Sequence, residues 1–547
     1  MPQTVFRRSI PGDMSGVAVN IPLDTTGTLQ PSIGAGVVAL AGKFSRGRID
    51  KPFLVDKSKI REKLGKPASM RINQTNEAYV QGYEACLRGA SGLVVSRIVS
   101  ELAKNKWFVV RSGTDENPIS LSDTKPASMD AKTAFAFQLK NCINEGVYIE
   151  FNFNRETQRA SVVIKDREQV QHGGLKVDTP DGSTLYEFDG SIRVDAKNDY
   201  GESDFIGDNA TLFYGDEIEF IVNPNLTADA APLTFGAGNP TTFKSGFGYT
   251  YFTDSGTPKA ADYQRAAQAL GNTSTQYNTI IAATESTALI QALGEVAIQY
   301  NRRLMIDIDG KLSPEAAIAW KKQFNFGAQE GMYLSWIWSP ISRVDPTGAS
   351  GNMVFGTSGM RAGYKSAQNL NLNALGLPPL QQPIAGKNFM LSGVNLSQQY
   401  IPTDSELAAL AQEHIIPVLY QEYDDGAGYV WNDSLTGAKK SGISKLESAS
   451  DISIWAQETW GKFSKGLEQT PMSEAITKAT QFTVKTLQMM EASKWLTPSK
   501  ALGGATYGYI IKPNERYPED RLEIEISLAI NGVVRRVTIN QRLYSAA

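Results

Sequence analysis

Few residues in this chain have the types and spacing that chemistry requires. Asp307-Ile-Asp309 puts two carboxylates at the end of an apolar run. That is where α/β folds gather ligands, and such a pair could hold Mg²⁺. No basic phosphate clamp or Gly-rich loop accompanies it, and the same aspartates read as a turn or as ion-pair partners of Arg302 or Arg303. The two histidines, His172 and His414, are far apart and lack ligand-like neighbours, which argues against a zinc site or a His-based dyad. Cys86 and Cys142 read as reduced thiols, since a disulfide scaffold needs many more cysteines. Gly34-Ala-Gly36 with Gly42 misplaces the third glycine of a dinucleotide loop, and Gly65-Lys66-Pro67 lacks the rest of a Walker A pattern. Gly356-Thr-Ser-Gly359 fails the spacing of a nucleophile elbow and reads as a glycine-bearing loop. Trp336, Trp338, Trp455 and Trp460 suit burial in a core or an interface. The expectation is a chain with no catalytic residues, no cofactor and no metal.

The bulk properties narrow the class. The chain has 547 residues, 41% hydrophobic and 20% charged, enough apolar material for several cores and too little charge for a disordered chain. The net charge is −3, from 54 basic and 57 acidic residues, whereas a nucleic-acid coat is strongly basic in bulk. Nucleic acid is therefore not expected as a direct partner. No apolar h-region follows the first residues, and the longest apolar stretch, Gly34 to Gly42, is far short of the ~20 residues a membrane span needs. Folding in a cytoplasm, without membrane insertion, is the expectation.

The elements that must position these residues follow from periodicity. Within residues 1–30, Val17, Val19, Ile21 and Leu23 alternate with Ala18, Asn20 and Pro22, which predicts an extended arm whose strand must find a partner. Residues 31–101 read as the first part of an α/β core: a buried strand over Gly36–Gly42, helices near Lys57–Leu64 and from Asn76 (as N-cap) to Gly89, then a strand over Leu93–Val99. Strand–helix–strand order implies a largely parallel sheet. Residues 102–256 read as a β-rich insert, with runs such as Val147–Phe153 and turn signals at Asp181-Gly182 and Asp189-Gly190. The α/β rhythm resumes over 257–400, with strands Asn278–Ala283, Arg303–Ile308 and Tyr333–Trp338 and a helix opened by Ser313-Pro314. Residues 401–530 read as a helix-rich core unit and 531–547 as a terminal strand or arm. Asn531-Gly532 predicts a hairpin pairing Ile530 with Val533, Ile526 with Val537 and Ile524 with Ile539.

Three blocks carry a family resemblance. The segment Gly36–Val55 contains a small-residue strand, then Arg46-Gly47-Arg48 and Pro52. The segment Tyr333–Pro340 is followed by Asp345-Pro346 and by Gly356-Thr-Ser-Gly-Met-Arg-Ala-Gly363. Pro518 through Ile539 closes the chain. In this order the blocks resemble the contractile tail sheath proteins of myovirus-type bacteriophages. Gly356 and Thr357 stand where that family usually has prolines, and Asn371–Pro379 lacks its tryptophan. The resemblance implies a discontinuous α/β core with an outward β-rich domain and extended terminal arms. It implies a structural subunit of the virion, stacked as hexameric rings around an inner tail tube. Such a sheath contracts to drive the tube through the bacterial envelope for genome ejection. The implied partners are further copies of the chain, the tube protein, and baseplate and tail terminator or collar proteins, assembled in the host cytoplasm. On that reading Val17, Val19, Ile21, Leu23, Val533, Val537, Ile539 and Leu543 pair strands between subunits, although the Asn531-Gly532 register argues that the last strand pairs within its own subunit. The rival readings are a bacteriocin or other contractile injection system sheath, and a carboxylate-metal α/β enzyme using Asp307 and Asp309.

Overall fold

In the computed structural model, residues 36–535 are described except for 115–116, 173–174, 180–181, 246–247, 284–285 and 439–441. The arm residues Val17, Val19, Ile21 and Leu23, together with Val537, Ile539 and Leu543, lie outside the described residues.

The fold is mixed α/β, built on one eight-stranded sheet. Its strands are β1 (Val37–Gly42), β2 (Phe53–Asp56), β3 (Gly92–Arg97), β4 (Thr279–Ala282), β5 (Arg303–Ile308), β6 (Leu334–Trp338), β7 (Ile415–Tyr423) and β8 (Gly426–Trp431), in the spatial order β2-β3-β1-β4-β5-β6-β7-β8. From β3 across to β7 neighbouring strands run parallel, and β2 and β8 close the edges antiparallel. The strands are near-continuous apolar runs because both faces are covered, as parallel sheets require. Alternation then sorts the side chains. Val38, Leu40, Met305 and Ile337 join one core with α1 (Glu77–Leu87), α4 (Ser358–Leu370), α5 (Glu447–Lys465) and α6 (Met472–Ala492). Ala39, Ala41, Leu304 and Ile306 join the opposite core with α2 (Ala260–Asn272) and α3 (Thr287–Gln299).

Between β3 and α2 the chain builds separate antiparallel sheets, ordered around strands such as Val147–Asn154, Arg159–Asp166 and Thr184–Ser191. Their core, with Phe108, Phe137, Phe151 and Val162, draws its buried residues from Val99 to Phe252. The two ends of this segment meet: the backbone N–H of Ser100 donates to Asp254 Oδ2 at 3.1 Å.

Several local expectations change. Asn76 does stand at the N-cap position of α1, but its side chain makes no capping bond: a 3₁₀ turn over Gln74–Asn76, capped by Asn73, precedes the helix, and Asn76 Nδ2 donates to Ser69 O at 2.8 Å. Asp189-Gly190 is not a turn but lies inside the strand Thr184–Ser191, with Gly190 opposite Ala160. A Cβ on Gly190 would sit 2.7 Å from Asp204 O and 2.8 Å from Ile206 Cα, so the glycine admits a passing loop. Residues past 401 do not stand apart as a helical unit, because β7 and β8 extend the main sheet. Of the expected C-terminal hairpin, the partners Val537 and Ile539 lie outside the described residues, and the described part shows neither the Asn531-Gly532 turn nor the Ile530–Val533 pair. β10 (Leu522–Leu528) pairs antiparallel with β9 (Tyr507–Pro513), with Ile526 opposite Tyr509 and Ile524 opposite Ile511. Ile530 bridges Leu496, Asn531 N–H donates to Trp495 O at 2.8 Å, and Val533 belongs to no strand. Trp495 is fully buried and fixes the chain there, which overrides the local turn signal.

Candidate functional site

The carboxyl end of a parallel sheet is where an α/β chain would place chemistry. Here it is occupied by the chain itself. Asp307, near the end of β5, is 7% exposed and accepts the backbone N–H groups of Thr357 (3.0 Å) and Ser358 (3.1 Å) and the Ser358 hydroxyl. These donors open α4, so the carboxylate sits at a helix N-terminus, where partial positive charge and free amides converge. One residue earlier, Gly356 N–H donates to Glu77 Oε1 at 2.8 Å, and Gln81 Nε2 donates to both Glu77 Oε1 (2.9 Å) and Gly356 O (2.7 Å). Gly359 N–H donates to Gln81 Oε1 at 2.6 Å. Arg343 completes the knot with a two-pronged pair to Glu84, a 2.6 Å bond to Gly356 O and its guanidinium 3.7 Å from the Phe355 ring centre. Burial, and then the charge of Glu77, pushes the Asp307 carboxyl up to about 8; burial likewise raises Glu77. The two share a proton-retaining environment, as close buried carboxyls do.

Asp309 only accepts the N–H of Lys311, at 3.0 Å, forming a turn. The alternative ion pairs of these aspartates with Arg302 or Arg303 are not made: Arg302 pairs with Glu458, and Arg303 with Asp451 at 2.8 Å. Among the described residues no cluster of three metal-ligating side chains occurs. The glycine at 356 is a packing requirement, because a Cβ there would lie 2.1 Å from the Asp307 carboxylate.

A second polar set fixes α5 to the sheet. Glu447, Asp451 and Glu458 share one helix face. They meet Arg361 and Lys365 of α4 and Arg302 and Arg303 at the start of β5, with Lys365 Nζ 2.7 Å from Asp451. Burial opposes the Asp451 charge, but Lys365 and Arg303 outweigh it and hold the carboxyl below its usual range.

A third set joins the inserted domain to the sheet. Arg46 makes two parallel bonds to Asp166, at 2.6 and 2.8 Å. Arg48 reaches Asp50 (2.7 Å) and Asp216 (3.1 Å), and Lys63 reaches Glu217 at 2.9 Å. Arg97, at the end of β3, donates to Gly47 O (2.8 Å), Cys142 O (2.6 Å) and Asn144 Oδ1 (2.7 Å). Gly47 holds φ at 122°, and a Cβ would meet the Phe53 ring at 2.4 Å, so only glycine fits between the two arginines. Sequence reading missed this clamp, because Asp166 and Asp216 lie 120 and 168 residues along the chain from Arg46 and Arg48. Both thiols are buried, and burial pushes each up to about 12.

The C-terminal ribbon of β9 and β10 is a two-stranded sheet. Tyr509 and Ile510, on successive positions and therefore opposite faces, are 40% and 52% exposed. Of the residues expected to pair between subunits, Val533 is half-buried and unpaired by any described strand, while neighbouring Arg535 binds Asp433 at 2.9 Å.

No family model matches the chain, and no curated protein matches it. Among solved structures, the chain is similar to the sheath tail protein Lin1278 from Listeria innocua, at 11% identity and a TM-score of 0.48, over 91% of this chain and 96% of that one. It is also similar to a chain of the PVC sheath complex of an extracellular contractile injection system in its contracted state, at 13% identity and a TM-score of 0.40, over 52% of this chain and 75% of that one. A chain from the anti-feeding prophage baseplate is similar at 13% identity and a TM-score of 0.37, over 55% and 78% of the two chains.

Proposed function

We propose that this chain is the structural subunit of a contractile tail sheath of a bacteriophage and that it is not an enzyme. It polymerises as stacked hexameric rings around an inner tube, within the virion, and shortens to drive that tube through a bacterial envelope. The observation that carries the reading is where the resemblance blocks fall. Arg46-Gly47-Arg48 is the clamp, and Arg343, Gly356, Thr357 and Ser358 are the knot over β5. At each, polar side chains are spent on one another, joining elements far apart in sequence, which suits a body that moves as a unit under load. The ribbon supports polymerisation. It packs on α6, its outer edges pair with no other described strand, and main-chain pairing with a strand from another copy would complete such an edge. Contacts that do not close generate a helical polymer.

Electron micrographs of the purified chain test this directly: tubes or stacked rings are expected. Removing residues 1–25 is expected to leave a folded monomer that makes no tubes. Long tubes from that deletion would end the assignment of Val17, Val19, Ile21 and Leu23 to subunit linkage. The genes beside this one separate a phage tail from a bacteriocin or injection system.

A further inference from the structure

Asn531-Gly532 occurs as an Asn-Gly pair once in the chain, and it is not used as a turn. The pair has a reactivity of its own. The side-chain amide carbon of an asparagine can close a five-membered ring with the next backbone nitrogen, and a glycine puts no side chain over that nitrogen. Here both residues are exposed. The chain is held on one side of the pair only. Thr497 N–H donates to Ala529 O at 2.9 Å, Ile530 bridges Leu496, and Asn531 N–H donates to Trp495 O at 2.8 Å. Asn531 Nδ2 makes a long contact, 3.4 Å, to Lys494 O. Beyond it, the N–H groups of Gly532, Val533 and Val534 donate to no described group, and the next hydrogen bond along the chain joins Arg535 to Asp433 at 2.9 Å. The Gly532 nitrogen can therefore lose its proton to solvent base without breaking a protein hydrogen bond. A Cβ built on Gly532 would have nothing within 4 Å outside the adjoining residues, so its surroundings are open as well.

We propose that Asn531 is a self-modifying position, converted by its own neighbour and water into aspartate and isoaspartate. The Gly532 nitrogen attacks Asn531 Cγ, the Cγ–Nδ2 bond breaks, and the amide nitrogen leaves as ammonia with the proton that the glycine nitrogen gave up. Water then opens the cyclic imide. Attack at Cγ returns the ordinary main chain with an aspartate; attack at the main-chain carbonyl carbon leaves the chain running through Cγ, as isoaspartate. Either product puts a carboxylate where a neutral amide stood, and isoaspartate also lengthens the main chain by a methylene. The change falls where the chain leaves its last main-chain bond to the sheet core, so an aged subunit joins its terminal segment through a different link from a new one.

The test is to age the purified full chain in mildly alkaline buffer and map its peptides by mass spectrometry. In parallel, isoaspartate is labelled with an isoaspartyl methyltransferase and a radiolabelled methyl donor. The peptide holding Asn531 is expected to gain the mass of an amide-to-acid exchange, and the methyl label, before any other asparagine peptide. The rate is expected to rise with pH, because the attacking nitrogen must lose its proton. Gly532→Ala meets no neighbour and needs no left-handed backbone, so it is expected to fold like the wild type and to lose most of the labelling. A synthetic peptide of residues 526–536 gives the rate without the fold. If Asn531 in the chain stayed intact after that peptide had converted, the bonds to Trp495 and Lys494 would be holding the amide away from the nitrogen, and the proposal would fall. Labelling spread evenly over the asparagines, or a Gly532→Ala chain that labels like the wild type, would also overturn it.

Discussion

Asp307 makes the sharpest statement at the scale of single residues. Its folded-state carboxyl titrates near 8, against about 3.9 in an unfolded chain. The folded state therefore holds the extra proton between those values. The stability this contributes is full below the unfolded value and is lost as pH rises through the folded one. For one proton the slope approaches about 1.4 kcal/mol per pH unit. Denaturant unfolding of the wild type is expected to show falling stability from pH 5 to pH 8, and Asp307→Asn, which cannot ionise, is expected to flatten that fall. Equal slopes in the two proteins would contradict the placement of the proton. The charged group facing Asp307 is Glu77 from α1; Glu77 in turn feels Arg343, from the strand after β6, and Asp309, and Arg343 is already committed to Glu84. Removing one partner of that pair, as in Glu84→Ala, leaves a guanidinium 1% exposed with no counter-charge, at an expected cost of about 3–5 kcal/mol. A loss in midpoint stability below 1 kcal/mol would mean the pair is not buried in solution.

At the scale of elements, the glycines at chain crossings set what can be exchanged. Gly356→Ala drives a methyl into the Asp307 carboxylate, and Gly47→Ala combines a positive φ with the Phe53 ring. Each is expected to cost about 1–3 kcal/mol or more, read as a lower unfolding midpoint in purified protein. Element identity was largely legible beforehand. The expected strand Arg303–Ile308 is β5 residue for residue, and Ser313 does cap a helix with Pro314 at its first position. Both signals are local: an apolar run of strand length, and a cap chemistry that needs three neighbouring residues. What escaped was non-local. Nothing within Ile415–Tyr423 says that its parallel neighbour is β6, or within Leu522–Leu528 that its partner is β9. The Asn531-Gly532 turn signal was sound as local chemistry, yet Leu496 and Trp495 hold Ile530 and Asn531 through burial that no turn rule counts. The candidate site followed the same division. Gly356-Thr-Ser-Gly359 was visible as a loop and Asp307 as a carboxylate at a strand end, but their union spans 50 residues and needed the sheet to make it.

At the scale of the whole molecule, the sheet core and the inserted domain each bury their own apolar residues, and charge-assisted bonds hold them together. Two outcomes are expected from that division. Replacing residues 103–252 with a short Gly-Ser linker is expected to leave a soluble, folded core, because the ends already touch through Ser100 and Asp254 and the uncovered clamp is polar. Residues 99–254 alone are expected to give a cooperative unfolding transition of their own. Circular dichroism and limited proteolysis would decide both, and an aggregated core or an unstructured insert would show that the two halves fold only together. The meeting of those two ends carries a consequence for descent. A lineage can trade the whole inserted module, or lose it, in one recombination between two neighbouring points of the fold, leaving every strand register of the sheet intact. The inserted module is therefore free to diverge quickly while the sheet it is joined to changes slowly.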